Sequence, residues 1–426
     1  MTSPEKIEEL LRRLWPLNRS LTGRGVQETL KILGEIMPIE IFSFPSGEQV
    51  FDWVVPKEWN VEKAYFEDCK GKRWADYSRN NLHLIGYSEP FHGQVSRKEL
   101  MDHVFTLEDQ PDAIPYVTSY YKKRWGFCLS YNDLRKLKGD TFNVNISTSK
   151  FNGSLLIGES FLKGHLDDEI LFSSYICHPS MANNELSGPV CLVYLYYAIS
   201  KIKNRKYSYR FVLAPETIGT LCYLKKRGEH LRSFLSAGYL LTCLGGGGDY
   251  GFKKSRKGDS VCDRVGEFVM CRQKGSELKE FDPIGSDERQ YCSPGFNLPV
   301  GSIYKTLYGE FPEYHTSLDN LKFLKGEQLV ESLTLLESLV DVFEKNAIWI
   351  STNSFGEPFL TKHKLYPDKG TVKLDEFVST IMWVLNLCDG ENDLISICQR
   401  SGCDWEVILE VVNLLSDKDL ITEVIK

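Results

Sequence analysis

An α/β fold with a mostly parallel or mixed sheet is the class the sequence predicts, carrying a β-rich insertion and a distinct C-terminal unit. Three observations point there. From about residue 170 to 244, β-branched apolar runs alternate with helical patterns. From Pro45 to about Gly164, aromatics, prolines and short alternating runs dominate. From Tyr366 on, three short helical patterns end in a β-prone tail. A chain of 426 residues exceeds one compact core, so two or three domains are expected.

The first forty residues read as helical. Ile7, Leu10, Leu11 and Leu14 follow helical spacing, and Val26, Leu30, Leu33 and Met37 repeat it after Thr22-Gly23. Short strands are expected next at Phe51–Val55, Leu82–Ile85 and Phe142–Ile146. The alternation then runs strand Ile170–Ile176, helix Pro189–Ser200, strand Tyr209–Ala214, helix near Leu221–Arg232 and strand Tyr239–Leu244, which enters the loop Gly245–Gly248. A long helix follows from about Gly326 to Phe343. In the C-terminal unit, Phe377, Ile381, Val384 and Leu385 mark one helix, and Leu394, Ile395 and Cys398 a second. Asp404 can N-cap a third through Leu415, before the tail Leu420–Ile425. Three helices and a strand pair make a winged helix.

Composition narrows the function classes. No run of eighteen apolar residues exists, and the charged N-terminus lacks an apolar h-region, so no membrane span or signal peptide is expected and the cytoplasm is the default. Twelve scattered cysteines without a C-x-x-C pair read as reduced thiols, with Cys177, Cys191, Cys222, Cys243 and Cys271 in or beside apolar stretches. A net charge of −7 speaks against a general nucleic-acid binder.

The sharpest signal is Cys177-His178-Pro179-Ser180-Met181-Ala182-Asn183-Asn184-Glu185, which follows a predicted strand and precedes a helix. In open α/β sheets, ligands sit outside the carboxyl ends of the strands. Glu216 ends the next strand, and His315 comes later in a polar loop before a helix. Two histidines and a glutamate at strand ends fit a zinc hydrolase.

These segments resemble the M28 family of zinc aminopeptidases. More closely they resemble its offshoot of aminopeptidase-like proteins once catalogued as domains of unknown function. The resemblance is carried by His178-Pro-Ser-Met-Ala, Pro215-Glu-Thr-Ile-Gly, Gly285-Ser-Asp-Glu-Arg-Gln and Tyr314-His-Thr-Ser-Leu-Asp-Asn. Phe51-Asp-Trp-Val-Val-Pro and Tyr120-Tyr-Lys-Lys-Arg-Trp-Gly-Phe in the insertion add to it. It covers nearly the whole chain. It implies a phosphorylase/hydrolase-like zinc-aminopeptidase core with a mixed sheet (1–45 with 165–360), an inserted β-rich subdomain (46–164) and a C-terminal winged helix (366–426).

The resemblance also implies roles. His178 and His315 match two histidine ligands, and Glu216 matches the first Glu of a Glu-Glu pair, the general base. Thr217 stands where the second Glu would ligate, Asn184 where a bridging Asp would, and Thr242-Cys243-Leu244 where the last carboxylate would. This donor set implies one Zn2+ rather than two. Asn184, Glu185 and Glu216 remain alternatives for the third ligand. Asp287 or Glu288 would hold a substrate ammonium, Arg289 a substrate carboxylate, and Tyr314 a developing oxyanion.

From Tyr366 to Lys426, five Lys or Arg face twelve Asp or Glu, a formal charge of −7. Such a winged helix would repel DNA, so a protein-contact or self-association role is expected. The leading expectation is a zinc-dependent hydrolase of a small peptide or amide, an amide on a modified sugar included. The alternatives are an impaired relative that binds an amino-terminal ligand or a partner protein, and a transcriptional regulator with an aminopeptidase-derived sensor.

Overall fold

The computed structural model describes residues 2–365 and 376–424, and the chain divides into two compact units, residues 1–338 and 339–426. The first unit is built on an eight-stranded mixed sheet. Its strands are β1 (Glu40–Pro45), β2 (Ser154–Leu162), β3 (Glu169–Tyr175), β4 (Ser208–Ala214), β5 (Leu235–Leu241), β6 (Tyr250–Lys253), β7 (Glu277–Lys279) and β8 (Val300–Lys305). Their spatial order is β1-β2-β4-β3-β5-β8-β6-β7. The central four, β4, β3, β5 and β8, run parallel. Every residue of β3 and β4 is buried, which is why both read as continuous apolar runs rather than alternating ones.

The parallel strands point their carboxyl ends the same way, so the loops after β3, β4, β5 and β8 gather along one edge. Helices α1 (Pro4–Leu14) and α2 (Arg24–Leu33) bury the apolar stripes expected of them, Ile7, Leu10, Leu11 and Leu14 in the first. Helix α3 (Ser187–Ser200) returns from β3, and α4 (Ile218–Phe234) from β4. At Gly188 the first turn of α3 presses onto the sheet. A Cβ there would lie 2.2 Å from Ser174 Oγ and 2.3 Å from the Leu241 carbonyl.

The inserted segment forms its own antiparallel sheet of Arg73–Trp74, Glu58–Glu67, Thr141–Phe151 and Phe91–Ser96, in that order. Phe66 is its hub, packing edge-on against Phe127 at 5.3 Å and Phe142 at 5.8 Å. The insertion ends earlier than the sequence suggests. Ser154–Leu162 pairs antiparallel with β4, so it belongs to the main sheet. Leu82–Ile85, expected as a strand, instead overlaps the 3₁₀ turn Asn81–His83, held by the Asn80 side chain. Strand β5 starts four residues before the expected Tyr239 and ends before Thr242.

The second unit contains helices α5 (Glu376–Leu387), α6 (Leu394–Ser401) and α7 (Trp405–Asp417). Asp404 caps α7 by accepting the Glu406 N–H at 2.8 Å. The sheet of this unit has three strands, with Ile348–Ser351 between Asp389–Asp393 and Ile421–Glu423. The first of these precedes residue 366, so the unit begins earlier than expected. The expected boundary at Tyr366 and the tail's last residue, Ile425, lie outside the described residues. All twelve cysteines are free thiols, and Cys271, expected beside apolar neighbours, is exposed. No helix among the described residues is long and apolar enough to cross a membrane.

Candidate metal and active site

The loop after β3 delivers His178 into the interior. Its Nδ1 lies 2.9 Å from Glu185 Oε2, and its carbonyl accepts from Arg19 Nε at 3.0 Å. Arg19, fully buried, also pairs with Glu185 Oε1 at 3.3 Å and donates to the Leu14 carbonyl at 2.6 Å. Glu185, a candidate substitute ligand in the sequence, is thereby spent on orienting the histidine. Burial opposes charge on His178, but Cys177 and the Glu185 carboxylate outweigh it and hold its pKa well above the ordinary value.

Between His178 and α3, residues Ala182–Leu186 form a π-helical turn. The Asp319 carboxylate caps it by accepting the N–H groups of Ala182 at 3.2 Å, Asn183 at 2.6 Å and Asn184 at 2.8 Å. Asn184 Nδ2 donates to the Tyr175 hydroxyl at 2.8 Å, while its Oδ1 is buried without a partner. The amide that stands for the bridging Asp therefore keeps one acceptor free.

Glu216 leaves β4 with its N–H on Cys177 Sγ at 3.2 Å. Its Oε1 accepts from Ser286 Oγ at 2.9 Å, and its Oε2 lies 3.7 Å from His178 Nε2. Thr217 takes a positive φ of 64° and donates its N–H to Asp287 Oδ1 at 2.7 Å. His315 also has a positive φ, 54°, and Ser180 and Cys243 share the trait. Four positive-φ residues other than glycine thus lie on the loops that frame the site, where such backbone strain can serve function.

His315 stacks on Tyr314 with ring centroids 3.9 Å apart, and its centroid lies 5.3 Å from that of His178. Tyr116, from the insertion, meets both histidines edge-on at 5.2 Å. It also donates its N–H to the His315 carbonyl at 2.8 Å. His315 Nε2 is buried with no hydrogen-bond partner. Burial, and then the neighbouring His178, push its pKa down to about 3, so the imidazole is neutral.

The expected triplet is not closed. His178 and Glu216 approach each other, but the donor atoms of His178, Glu216 and His315 do not all lie within 4.8 Å. Among the described residues the one trio that does is Cys177, His178 and Glu185. That trio is a poor cation site: the Arg19 guanidinium already sits on Glu185, and burial pushes the Cys177 thiol up to about 11. Positions Thr217 and Thr242-Cys243 supply no second carboxylate pair. The Thr242 hydroxyl hydrogen-bonds that of Tyr175, and burial drives the Cys243 thiol up to about 12.

The two acidic residues expected to hold a substrate ammonium have partners within the fold. Asp287 is 1% exposed and faces the Thr217 N–H, with burial and the Glu216 charge raising its pKa to about 8. Glu288 is fully buried and paired with Lys253 at 2.5 Å and the Tyr308 hydroxyl at 3.1 Å. Their polar loop reads as surface in the sequence, but these partners draw both carboxyl groups inward. Arg289 does reach open space. With Glu216, Ser286, Tyr308 and Tyr314 it lines a cleft of about 540 Å³.

Residues 8–346 match the model of a domain of unknown function, DUF4910, and residues 347–423 match a winged helix-turn-helix. The chain belongs to the DUF4910 family. One family relative, from Clostridium acetobutylicum, is described as "Putative polysaccharide biosynthesis protein with aminopeptidase-like domain". It is 40% identical over 421 residues, covering 98% of this chain and 96% of the relative. A crystal structure of a "putative peptidase" from the same organism superposes with a TM-score of 0.92 at 39% identity, covering 99% of this chain and 96% of that one. The zinc aminopeptidase of Bacillus subtilis superposes with a TM-score of 0.55 at 11% identity, covering 80% of this chain and 94% of that one. An M28 peptidase precursor from Shewanella amazonensis gives a TM-score of 0.53 at 12% identity, over 80% of this chain and 96% of that one. The DUF4910 core therefore has the fold of M28-type zinc aminopeptidases.

Proposed function

We propose that this DUF4910 protein is a zinc-dependent hydrolase of a small amide, with one zinc held by His178 and His315. The observation that carries the reading is a pair of buried polar atoms without a partner, His315 Nε2 and Asn184 Oδ1, beside His178, whose Nε2 lies 3.7 Å from Glu216 Oε2. Unsatisfied buried acceptors are costly, and a cation satisfies them. Glu185 on the far nitrogen of His178 is the carboxylate–histidine arrangement that metal-ligating histidines use. Asn184 Oδ1 is the remaining neutral donor. When bound, zinc supplies Lewis-acid polarisation of the amide carbonyl.

The chain's own groups then divide the work. Glu216, turned by Ser286 and at the wall of the cleft, takes a proton from the attacking water and returns it to the leaving nitrogen as the C–N bond breaks. The Tyr314 hydroxyl donates to the oxygen that gains charge, and burial raises its pKa so that it stays protonated. The name of the Clostridium relative supports an amide on a saccharide precursor as substrate, and the acidic winged helix supports a protein partner or a second copy rather than DNA.

The test is turnover of aminoacyl and N-acyl amides by the zinc-loaded full chain. Glu216→Gln should lower kcat by roughly 10²- to 10⁴-fold while keeping the zinc content of the parent. Undiminished turnover in that variant contradicts the assignment of the base. Turnover absent from the parent as well would favour a ligand-binding relative, a reading supported by the missing carboxylates at Asn184 and Thr217.

A further inference from the structure

The amide-hydrolase reading leaves the substrate open, and the cation content of its cleft narrows it. Lys253, Lys279 and Arg289 all line that space. Lys253 is neutralised by Glu288 at 2.5 Å, and Lys279 by Glu310 at 2.6 Å. Arg289 differs. It is half-buried, one of its Nη groups donates to the neutral Thr217 hydroxyl at 3.1 Å, and its Nε is buried without a partner.

No carboxylate comes within ion-pairing distance of Arg289 among the described residues. Asp287, its near neighbour in sequence, is turned to the Thr217 N–H, and Glu216 is turned to Ser286. Of the acidic groups farther along the cleft, Glu280 pairs with Lys254 at 3.2 Å and Asp282 accepts the Ile284 N–H at 2.9 Å. A partly desolvated guanidinium with no counter-ion is unfavourable in isolation, and its planar fork matches a carboxylate. The bond to Thr217, the residue after Glu216, sets this charge beside the base.

We propose that Arg289 is the subsite for a carboxylate of the substrate, so that the cleft takes an amide bearing a free carboxylate close to the scissile bond. The proposal rests on the amide-hydrolase reading for its placement next to Glu216, but its binding test does not require zinc.

The experiment compares L-alanyl-L-alanine with L-alanyl-L-alaninamide, which differ in the carboxylate, by calorimetry on the metal-free full chain. The dipeptide should bind tighter by about tenfold or more, as expected of a charge-assisted hydrogen bond. Arg289→Met should abolish the preference, Arg289→Gln should do the same, and Arg289→Lys should restore part of it. Thermal unfolding of each variant verifies that it is folded. Equal affinities in the parent, no binding of either compound at millimolar concentration, or a preference that survives in both neutral variants overturns the proposal. Inorganic phosphate displacing the dipeptide at lower concentration than the dipeptide itself binds also overturns it. Failure of the chain to bind zinc leaves the carboxylate preference standing, so the two readings fail separately.

Discussion

Glu185 Oε2 sits 2.9 Å from His178 Nδ1 and fixes which nitrogen of that imidazole is left for other work. Replacing it with Gln keeps the shape but removes the charge that raises the basicity of the ring. Zinc affinity, measured by competition with a chelator, should fall roughly 10- to 100-fold in Glu185→Gln. Unchanged affinity would mean that Glu185 serves only the buried Arg19.

Asp319 ties the His315 loop to the His178 loop through three backbone N–H groups. Asp319→Ala should cost about 1–3 kcal/mol for each buried donor left unpaired, to the extent that water does not replace the carboxylate. Urea unfolding checks this, and a loss within the scatter of surface substitutions would contradict the cap.

Asp287 makes stability depend on pH. Its folded pKa of about 8 lies above the ordinary 3.8, because burial and then Glu216 penalise the charged form. Raised folded values stabilise below the unfolded pKa, and that contribution is lost as pH rises through the window from about 4 to about 8. Relative to Asp287→Asn, the parent should lose stability across that window by at most about 1.4 kcal/mol per pH unit, then run parallel above it. Parallel curves from pH 4 upward would show that Asp287 is ionised in the fold.

Gly188 should not tolerate a side chain, because a Cβ would strike Ser174 Oγ and the Leu241 carbonyl. Gly188→Ala should destabilise by about 1–3 kcal/mol, as overpacking does. Calorimetric unfolding decides it, and a neutral effect would mean that α3 is free to shift.

Much of this was legible because β-strands announce their ends. Buried apolar runs stop at Tyr175 and Ala214, and the polar residues that follow, His178 and Glu216, fall at one edge of the sheet. Arg19 and Tyr116 were not legible. Arg19 meets His178 from 159 positions away, and nothing local marks either residue. The burial of Asp287 and Glu288 is not legible either, because a Gly- and Ser-bounded acidic loop looks solvated until Lys253 and the Thr217 N–H are placed beside it. Ser154–Leu162 reads as part of the insertion because its pairing with β4 joins residues far apart in sequence.

The central claim is that His178 and His315 hold a metal, and the direct measurement is the zinc content of the full chain purified without added metal or a His tag. The account predicts about one zinc per chain, lost when both histidines are replaced by alanine. No zinc even after incubation with excess metal, or zinc retained by the double variant, would contradict it.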